Sequence, residues 1–500
     1  MGSIWTNTDL ASALGAVPIH TGSITEHRGI SIDSRTCQSG NVFVCVSGDR
    51  TDGHLYIPAA LAAGASALIV SETWLAAGTS ELPAPGSVTV FAVSTGLEAL
   101  QDLARFHRTR LDVLNEFLIL AVTGSNGKTT CKEMLASMLS SVYPPGTVYA
   151  TRGNLNNHIG VPLTILDIQL NCRIAILEMG MNHAGEIDFL TRLARPHHAF
   201  VSSIAPAHME FFRDLDAVSM AKFEIIAGLQ SGSSGRSPLL YWPADAPCDD
   251  QQAIECQKRG IKRVLFADSE KLRASQQLAI DSRGVAFDWR NQRIQNNHYY
   301  SAVLAANLNA CLSFLADTQV LPVTALFQAA SAARPQSHGR FQVHRLTAPA
   351  RKGPSELLLV DDTYNANSAS FLAALDSLRQ ILPAGRLAVF AGAMAELGPH
   401  SAAEHQTVGA RMAELDYALV VTCGQTADNY TIGYQQAQVD SHPGSRSVAM
   451  HHFQDALSCK QEWMDRGLFD IGQYDGILVK GSRSAKMEVI VKSIQAISNV

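Results

Sequence analysis

Short unbroken apolar runs, turn clusters and segments with apolar residues three and four apart alternate along the whole chain, without any internal repeat of the sequence itself. Up to about residue 110 the runs are Val42 to Val46, Ala67 to Val70 and Val88 to Val93, which predicts a small α/β domain. Leu97, Leu100, Leu103, Ala104 and Phe106 then fall at helical intervals among polar residues, so Leu97 to Leu111 is expected to be a helix that leads into a second domain. From Phe117 the run FLILAVT meets a glycine-rich turn and the helically spaced KTTCKEMLASMLSSV, and further runs follow at Ile174 to Leu177 and Ala199 to Ile204. Strand, loop, helix, strand is the rhythm of a parallel sheet. Ser231 to Asp250 is rich in Ser, Gly and Pro and lacks periodicity, which predicts a mobile surface loop. After Arg334-Pro335 the rhythm restarts, with strands expected at Leu357 to Val360, Leu387 to Ala391, Ala418 to Thr422 and Ile477 to Val479. The expected division is therefore 1–110, 111–336 and 337–500.

A length of 500 residues suits that division, since domains run to roughly 150 residues each. With 46% apolar and 17% charged residues and a mean hydropathy of +0.04, the chain reads as globular throughout. Lys plus Arg number 39 against 45 Asp plus Glu, a net charge of −6, which argues against the broad positive field of a nonspecific nucleic-acid binder. Any anionic ligand must be held locally. Nine widely spaced cysteines without a Cys-x-x-Cys pair read as reduced thiols. The start MGSIWTNTDLASALG lacks the basic and apolar stretches of a signal peptide, and Ala59 to Val70 is too short to span a bilayer, so a cytoplasmic protein without membrane insertion is expected.

The strongest chemical signal is Thr123-Gly124-Ser125-Asn126-Gly127-Lys128-Thr129-Thr130, set between a predicted strand and a predicted helix. Glycines let backbone amides turn toward phosphate oxygens, and the helix start adds partial positive charge. Lys128 can neutralise β- and γ-phosphates, and the Thr129 hydroxyl can hold Mg²⁺. The spacing is the short Gly-x-x-Gly-Lys-Thr form, because position 122 is Val122. Glu178 follows the apolar run AIL, where sheet enzymes place ligand groups, and is either a metal carboxylate or a solvated strand end. His208 in IAPAHMEFF offers an imidazole to a cation or simply packs, and Lys222 in AKFEI reads by spacing alone as a solvated helical residue. The clusters Asp361-Asp362-Thr363-Tyr364-Asn365-Ala366-Asn367 and Lys480-Gly481-Ser482-Arg483-Ser484 each follow an apolar run, so they are either ordinary turns or ligand loops at strand ends.

Together these motifs resemble the Mur ligase family, and within it the MurF type, which joins D-alanyl-D-alanine to a UDP-N-acetylmuramoyl tripeptide. The landmarks span nearly the whole chain: Asp33-Ser34-Arg35, GDRTDGH (48–54), TGSNGKTT, GNLNNHIGVP (153–162), EMGMNHAGEI, APAHMEFF, AKFEI, HGR (338–340), DDTYNAN, MAELG (394–398) and VKGSRS. The resemblance implies an α/β fold in three domains: an N-terminal UDP-substrate domain, a central P-loop ATPase domain with a mainly parallel sheet, and a C-terminal Rossmann-like domain. It implies an ATP-dependent, amide-forming ligase of peptidoglycan precursor synthesis that acts through an acyl phosphate, as a monomer, with ATP and two Mg²⁺ sites. By the match, Gly124 to Thr130 cradle ATP with Lys128 on its β/γ-phosphates, Thr129 and Glu178 hold one Mg²⁺, and His208 holds the second. Lys222 aligns with the lysine that the family carbamylates, Arg340 with an ATP-phosphate contact and Asp362 with a ribose contact. Ser34 and Arg35 match the uridine-nucleotide side, and Asn365, Asn367, Lys480 and Ser482 the place where amine and acyl phosphate meet.

The chain departs from the family pattern at three places. His298-Tyr299-Tyr300-Ser301-Ala302-Val303 stands where the family shows His-Asn-x-x-Asn-Ala near the adenine, Ala393 stands in place of an Asp, and Ser368 follows DDTYNAN in place of Pro. A Mur-like amide ligase of specialised metabolism and a nucleotide-binding pseudoenzyme are therefore the alternatives at this level.

Overall fold

A computed structural model describes residues 4–48, 51–78, 82–113, 117–205, 211–231, 237–247, 250–266, 278–336, 338–347, 356–441 and 448–498. The chain divides into two compact units, Met1–Lys132 with Val142–Phe266, and Glu133–Ser141 with Ala267–Val500.

The first unit holds two main sheets. One has five strands in the order Pro18–His20, Thr89–Val93, Ala67–Ser71, Val42–Val44 and Ile30–Ser31, parallel except for the first. The other has six strands, all parallel, in the order Lys262–Phe266, Leu239–Pro243, His198–Val201, Leu118–Thr123, Ile174–Glu178 and Val148–Ala150. Helices cover such a sheet on both faces, so its strands read as unbroken apolar runs; Ile119 to Val122 are fully buried. The expected connecting helix is Gly96–Asp112, capped by Thr95, whose side chain accepts from the Glu98 amide. Its first residue must be glycine, because a Cβ at Gly96 would lie 1.9 Å from the Cys45 carbonyl oxygen. One apolar core runs from Trp5 and Val42 through Leu103 and Ile119 to Trp242.

In the second unit, an antiparallel sheet of Ala279–Asp281, Gly284–Trp289 and Gln292–Asn296 precedes helices Ala302–Asp317 and Val323–Ala332. A second six-stranded sheet follows in the order Gln342–Thr347, Glu356–Asp362, Gly476–Lys480, Leu387–Gly392, Tyr417–Cys423 and Ala449–Phe453. Only its first strand is antiparallel.

One expectation is overturned. Ser231 to Asp250 is not a surface loop throughout, because Leu239–Pro243 is a buried strand of the central parallel sheet. An all-apolar strand covered on both faces shows no alternation, and its Ser, Gly and Pro flanks masked it in the sequence. No disulfide joins the eight described cysteines, all of which are buried. Among the described residues no helix is long and apolar enough to cross a membrane.

Candidate active site

The loop after Leu118–Thr123 leaves the centre of the parallel sheet and enters helix Lys128–Ser140. Gly124 (φ +145°) and Gly127 (φ +81°) take backbone conformations that side chains rarely adopt, and a Cβ at Gly124 would meet the Ser202 Oγ at 2.1 Å. The loop is clasped by the segment after strand His198–Val201. Ser125 donates its amide to the Ser203 carbonyl (2.8 Å) and its hydroxyl to the Ala205 carbonyl (2.9 Å), while the Ser202 hydroxyl donates to the Asn126 carbonyl (2.5 Å). Lys128 Nζ donates to the Gly124 and Ser125 carbonyls at 2.8 and 3.2 Å, which folds its charge over the loop. Thr129 is buried at the helix start, and Thr130 is half-buried.

Glu178 ends the neighbouring strand, in register with Val122, so sheet pairing alone carries its carboxylate beside the loop. It is buried rather than a solvated strand end, at 2% exposure. Its Oε1 accepts from Asn156 Nδ2 at 2.8 Å, and its amide donates to the Thr151 hydroxyl at 3.0 Å. Its Oε2 is buried without a hydrogen bond, 3.7 Å from Lys132 Nζ, which itself donates to the Thr151 carbonyl at 2.9 Å. A buried carboxylate oxygen without a hydrogen bond, on the strand next to the phosphate loop, is an oxygen donor of the kind Mg²⁺ prefers. The chemistry of that oxygen fits such an ion, and Thr129 at the helix start offers a hydroxyl of the same class.

Lys222 contradicts its reading as a solvated helical residue: it is 1% exposed on helix Leu215–Phe223. Burial first, and the charge of Lys128 second, push its pKa well below a lysine's ordinary value. Spacing could not show this, because the helix's low amphipathicity leaves no apolar stripe to mark which face is covered. His208 lies outside the described residues. Glu224, just beyond Lys222, accepts the Gly185 and Asp188 amides at 2.8 and 3.1 Å and thus ties this helix to the NHAGEI turn.

In the five-stranded part of the same unit, Arg35 projects into solvent and is held by Asp33, with Nε on Oδ1 at 2.9 Å and Nη2 on Oδ2 at 2.6 Å. That hydrogen bond holds the Asp33 carboxyl below the usual range. Ser34 is half-buried beside them. The GDRTDGH motif anchors its loop through His54, whose Nδ1 lies 2.6 Å from Asp52 Oδ1 and whose Nε2 accepts the Ser71 amide at 3.0 Å.

In the second unit, HGR, DDTYNAN and VKGSRS converge at the C-terminal ends of the paired strands Glu356–Asp362 and Gly476–Lys480. Asp362 accepts the Phe341 amide on Oδ1 (3.0 Å) and Lys480 Nζ on Oδ2 (2.6 Å), so both its oxygens are engaged. Lys480, 2% exposed, also donates to the Asn365 carbonyl at 3.1 Å. The Arg340 guanidinium lies 4.0 Å from the Tyr364 ring centroid, and its Nε is buried without a hydrogen bond. Asn365 is exposed, with its side-chain oxygen accepting the Ala366 amide at 2.9 Å. Asn367 caps helix Ser368–Ile381, accepting the Ser370 amide at 2.9 Å, which is a helix-start task. Ser482 donates its hydroxyl to the Ala393 carbonyl at 2.5 Å. At the departure site Ser301 caps helix Ala302–Asp317, and Tyr299, Tyr300 and Ala302 are buried.

Comparison with known proteins matches three Mur ligase models along the chain: the family's catalytic domain over 26–108, its middle domain over 122–311 and its glutamate ligase domain over 339–483. The chain belongs to the Mur ligase family. Two similar Mur ligases are each called "UDP-N-acetylmuramoyl-tripeptide--D-alanyl-D-alanine ligase". That of Haemophilus influenzae is 31% identical over 481 residues, and that of Escherichia coli 31% identical over 485, each alignment covering 93% of both chains. A crystal structure of MurF from Acinetobacter baumannii superposes with a TM-score of 0.78 at 25% identity and covers 100% of both chains. The α/β Mur ligase fold expected from the motifs is therefore the fold observed.

Sequence reasoning missed Lys132, Ser202 and Ser203 as members of these clusters and gave no role to Asn156 or Tyr364. Asn156 and Tyr364 stood inside quoted motifs, so their signal was present. Lys132 read as an ordinary polar residue of a helix, and only its burial distinguishes it.

Proposed function

We propose that this Mur ligase joins D-alanyl-D-alanine to a UDP-N-acetylmuramoyl tripeptide at the expense of ATP, as its relatives' names state for them, in peptidoglycan precursor synthesis. The observation that carries the chemistry is Glu178 Oε2, a buried carboxylate oxygen without a hydrogen bond, in the strand beside a glycine-formed phosphate loop. The γ-phosphoryl group of ATP passes to an oxygen of the tripeptide's terminal carboxylate, giving ADP and an acyl phosphate. The neutral amine of the dipeptide then attacks the carbonyl carbon, phosphate leaves, and the nitrogen loses a proton. A carboxylate is a poor electrophile, so the phosphoryl group supplies the leaving group it lacks. Mg²⁺, when bound, supplies charge neutralisation among the assembled anions.

Lys128 takes the β/γ-phosphate charge, and Thr129 and Glu178 present oxygens to one Mg²⁺. His208 is assigned to a second ion. Lys222 is assigned as a carbamate: its depressed pKa favours the neutral amine, which adds CO₂ with loss of a proton and turns the buried cation into an anionic oxygen donor. Ser34 and Arg35 are assigned to the uridine nucleotide, Arg340 to ATP phosphates and Asp362 to its ribose. Lys480, Asn365, Asn367 and Ser482 are assigned to the amine and acyl phosphate. Asn367 contributes there through the helix start it caps. The three expected domains, 1–110, 111–336 and 337–500, are supported by the three matched segments. The protein is proposed to act as a cytoplasmic monomer.

Phosphate release measured with UDP-muramoyl tripeptides crossed against D-alanyl-D-alanine and other amines tests the reading. Release that requires both the tripeptide and D-alanyl-D-alanine is expected, and Lys128→Ala should lower it on the order of 100- to 1,000-fold. Release with another amine alone, or undiminished release in that variant, overturns it.

A further inference from the structure

The phosphate loop is gripped by a residue that lies outside every motif singled out in the sequence. Ser203 follows strand His198–Val201, whose pairing of Val201 with Thr123 sets it alongside the loop. Its carbonyl accepts the Ser125 amide at 2.8 Å. Its hydroxyl accepts the Asn126 amide at 2.9 Å and donates to the Asn126 carbonyl at 3.0 Å.

Those two side-chain bonds fall on different peptide planes, the one before Asn126 and the one after it. A trans peptide points its N–H away from its C=O. With the Asn126 carbonyl held by the Ser203 hydroxyl and, at 2.5 Å, by that of Ser202, the Gly127 N–H must face the opposite side of the chain. If that plane turned over, a carbonyl oxygen would replace an amide on the side away from Ser203. Ser125 and Asn126 amides already committed to Ser203 are not the ones that take phosphate oxygens. That task falls to Gly127 and the first turn of helix Lys128–Ser140, whose amides a helix leaves without internal partners. The approach is close enough to exclude any side chain at Gly124, where a Cβ would lie 2.9 Å from the Ser203 nitrogen as well as against Ser202.

We propose that Ser203 is a positioning residue for nucleotide binding: its hydroxyl ties together both peptide planes at Asn126, sharing the carbonyl with Ser202, and so directs the Gly127 amide toward the phosphates. The inference rests on the reading of this loop as the ATP-phosphate site.

The test uses the full chain and ADP with Mg²⁺ as the titrated probe. Ser203→Thr and Ser203→Val have nearly equal shape and differ in the hydroxyl. Two side-chain hydrogen bonds are lost in the Val variant while the Ser202 hydroxyl still holds the Asn126 carbonyl, so its Kd for ADP and its KM for ATP should rise roughly fivefold to tenfold, with the KM for the UDP substrate unchanged. The Thr variant should bind within about twofold to threefold of wild type. Hydrogen exchange measured without nucleotide, over a peptide containing 124–127, should be faster in Val than in Thr. Equal ADP affinity in the two variants overturns the proposal, as does equal exchange. Lys128→Ala separates the two levels of the inference: wild type that binds ADP no better than Lys128→Ala overturns the nucleotide-site reading itself. Wild-type binding that Lys128→Ala weakens, with Thr and Val alike, overturns only the role of Ser203.

Discussion

Lys132 and Glu178 form a charge pair buried on both sides in the first unit, and removing either charge should be costlier than removing both. Lys132 Nζ lies 3.7 Å from Glu178 Oε2, with the side chains 5% and 2% exposed. Two unit charges at that separation attract by about 4.5 kcal/mol at an effective dielectric of roughly 20, which sets the scale of the coupling. Lys132→Met leaves a buried carboxylate whose remaining side-chain donor is Asn156, and Glu178→Gln leaves a buried ammonium on the Thr151 carbonyl. Breaking a buried pair in this way costs about 3–5 kcal/mol, whereas replacing both partners is often close to neutral. The singles at that cost sum to about 6–10 kcal/mol, so the double variant should be more stable than their sum by at least about 3 kcal/mol. Native-state hydrogen exchange over a peptide containing Ile174–Glu178 measures this locally, without assuming that the whole chain unfolds in one step. Phosphate release should stay at least about 100-fold down in the double variant, because the carboxylate proposed to take Mg²⁺ is gone even where stability returns. Additivity of the singles within about 0.5 kcal/mol would refute the coupling.

Arg35→Ala should raise the KM for the UDP substrate several-fold with little change in the KM for ATP, checked by steady-state kinetics with each substrate varied; equal shifts in both would remove Arg35 from the uridine side. Lys222→Ala should abolish turnover, and added formate or acetate should restore part of it where chloride at matched ionic strength does not; a fully active variant would end the carbamate assignment. Because Lys222 is buried, this variant opens a cavity, so its stability must be measured alongside its activity. His107 and His197 are held at a pKa of about 4 chiefly by burial, against 6.5 unfolded, so the fold keeps them neutral. Their contribution is full above pH 6.5 and is lost as pH falls toward 4, at most about 3 kcal/mol per histidine. Thermal melts between pH 7 and 4.5 should show a shallower fall in His107→Gln than in wild type, and parallel curves would reject this source of acid sensitivity.

The elements governed by local chemistry were readable from the chain alone. The strand Leu118–Thr123, the helix Gly96–Asp112 and the phosphate loop follow from an unbroken apolar run, a Thr cap with helical spacing, and glycines whose positive φ a side chain would resist. Leu239–Pro243, in the same sheet and just as unbroken, was not readable, because the Ser, Gly and Pro residues on either side made its five-residue run look like part of a loop.

Site membership divides along the same line. The sequence by itself determined which groups the protein has to work with: the loop lysine Lys128, the carboxylate Glu178 at a strand end, and the DDTYNAN and VKGSRS turns. Tertiary structure alone decided that Lys222 is buried, that Lys132 faces Glu178, that Ser203 holds the loop, and that Lys480 reaches Asp362 across 118 positions of sequence. The physical reason is that composition and periodicity report what a residue can do with its near neighbours. Burial and charge pairing depend on which strands the crossovers bring side by side, and the strands that carry the site residues, Leu118–Thr123 beside Ile174–Glu178 and His198–Val201, and Glu356–Asp362 beside Gly476–Lys480, are paired without being consecutive in the chain.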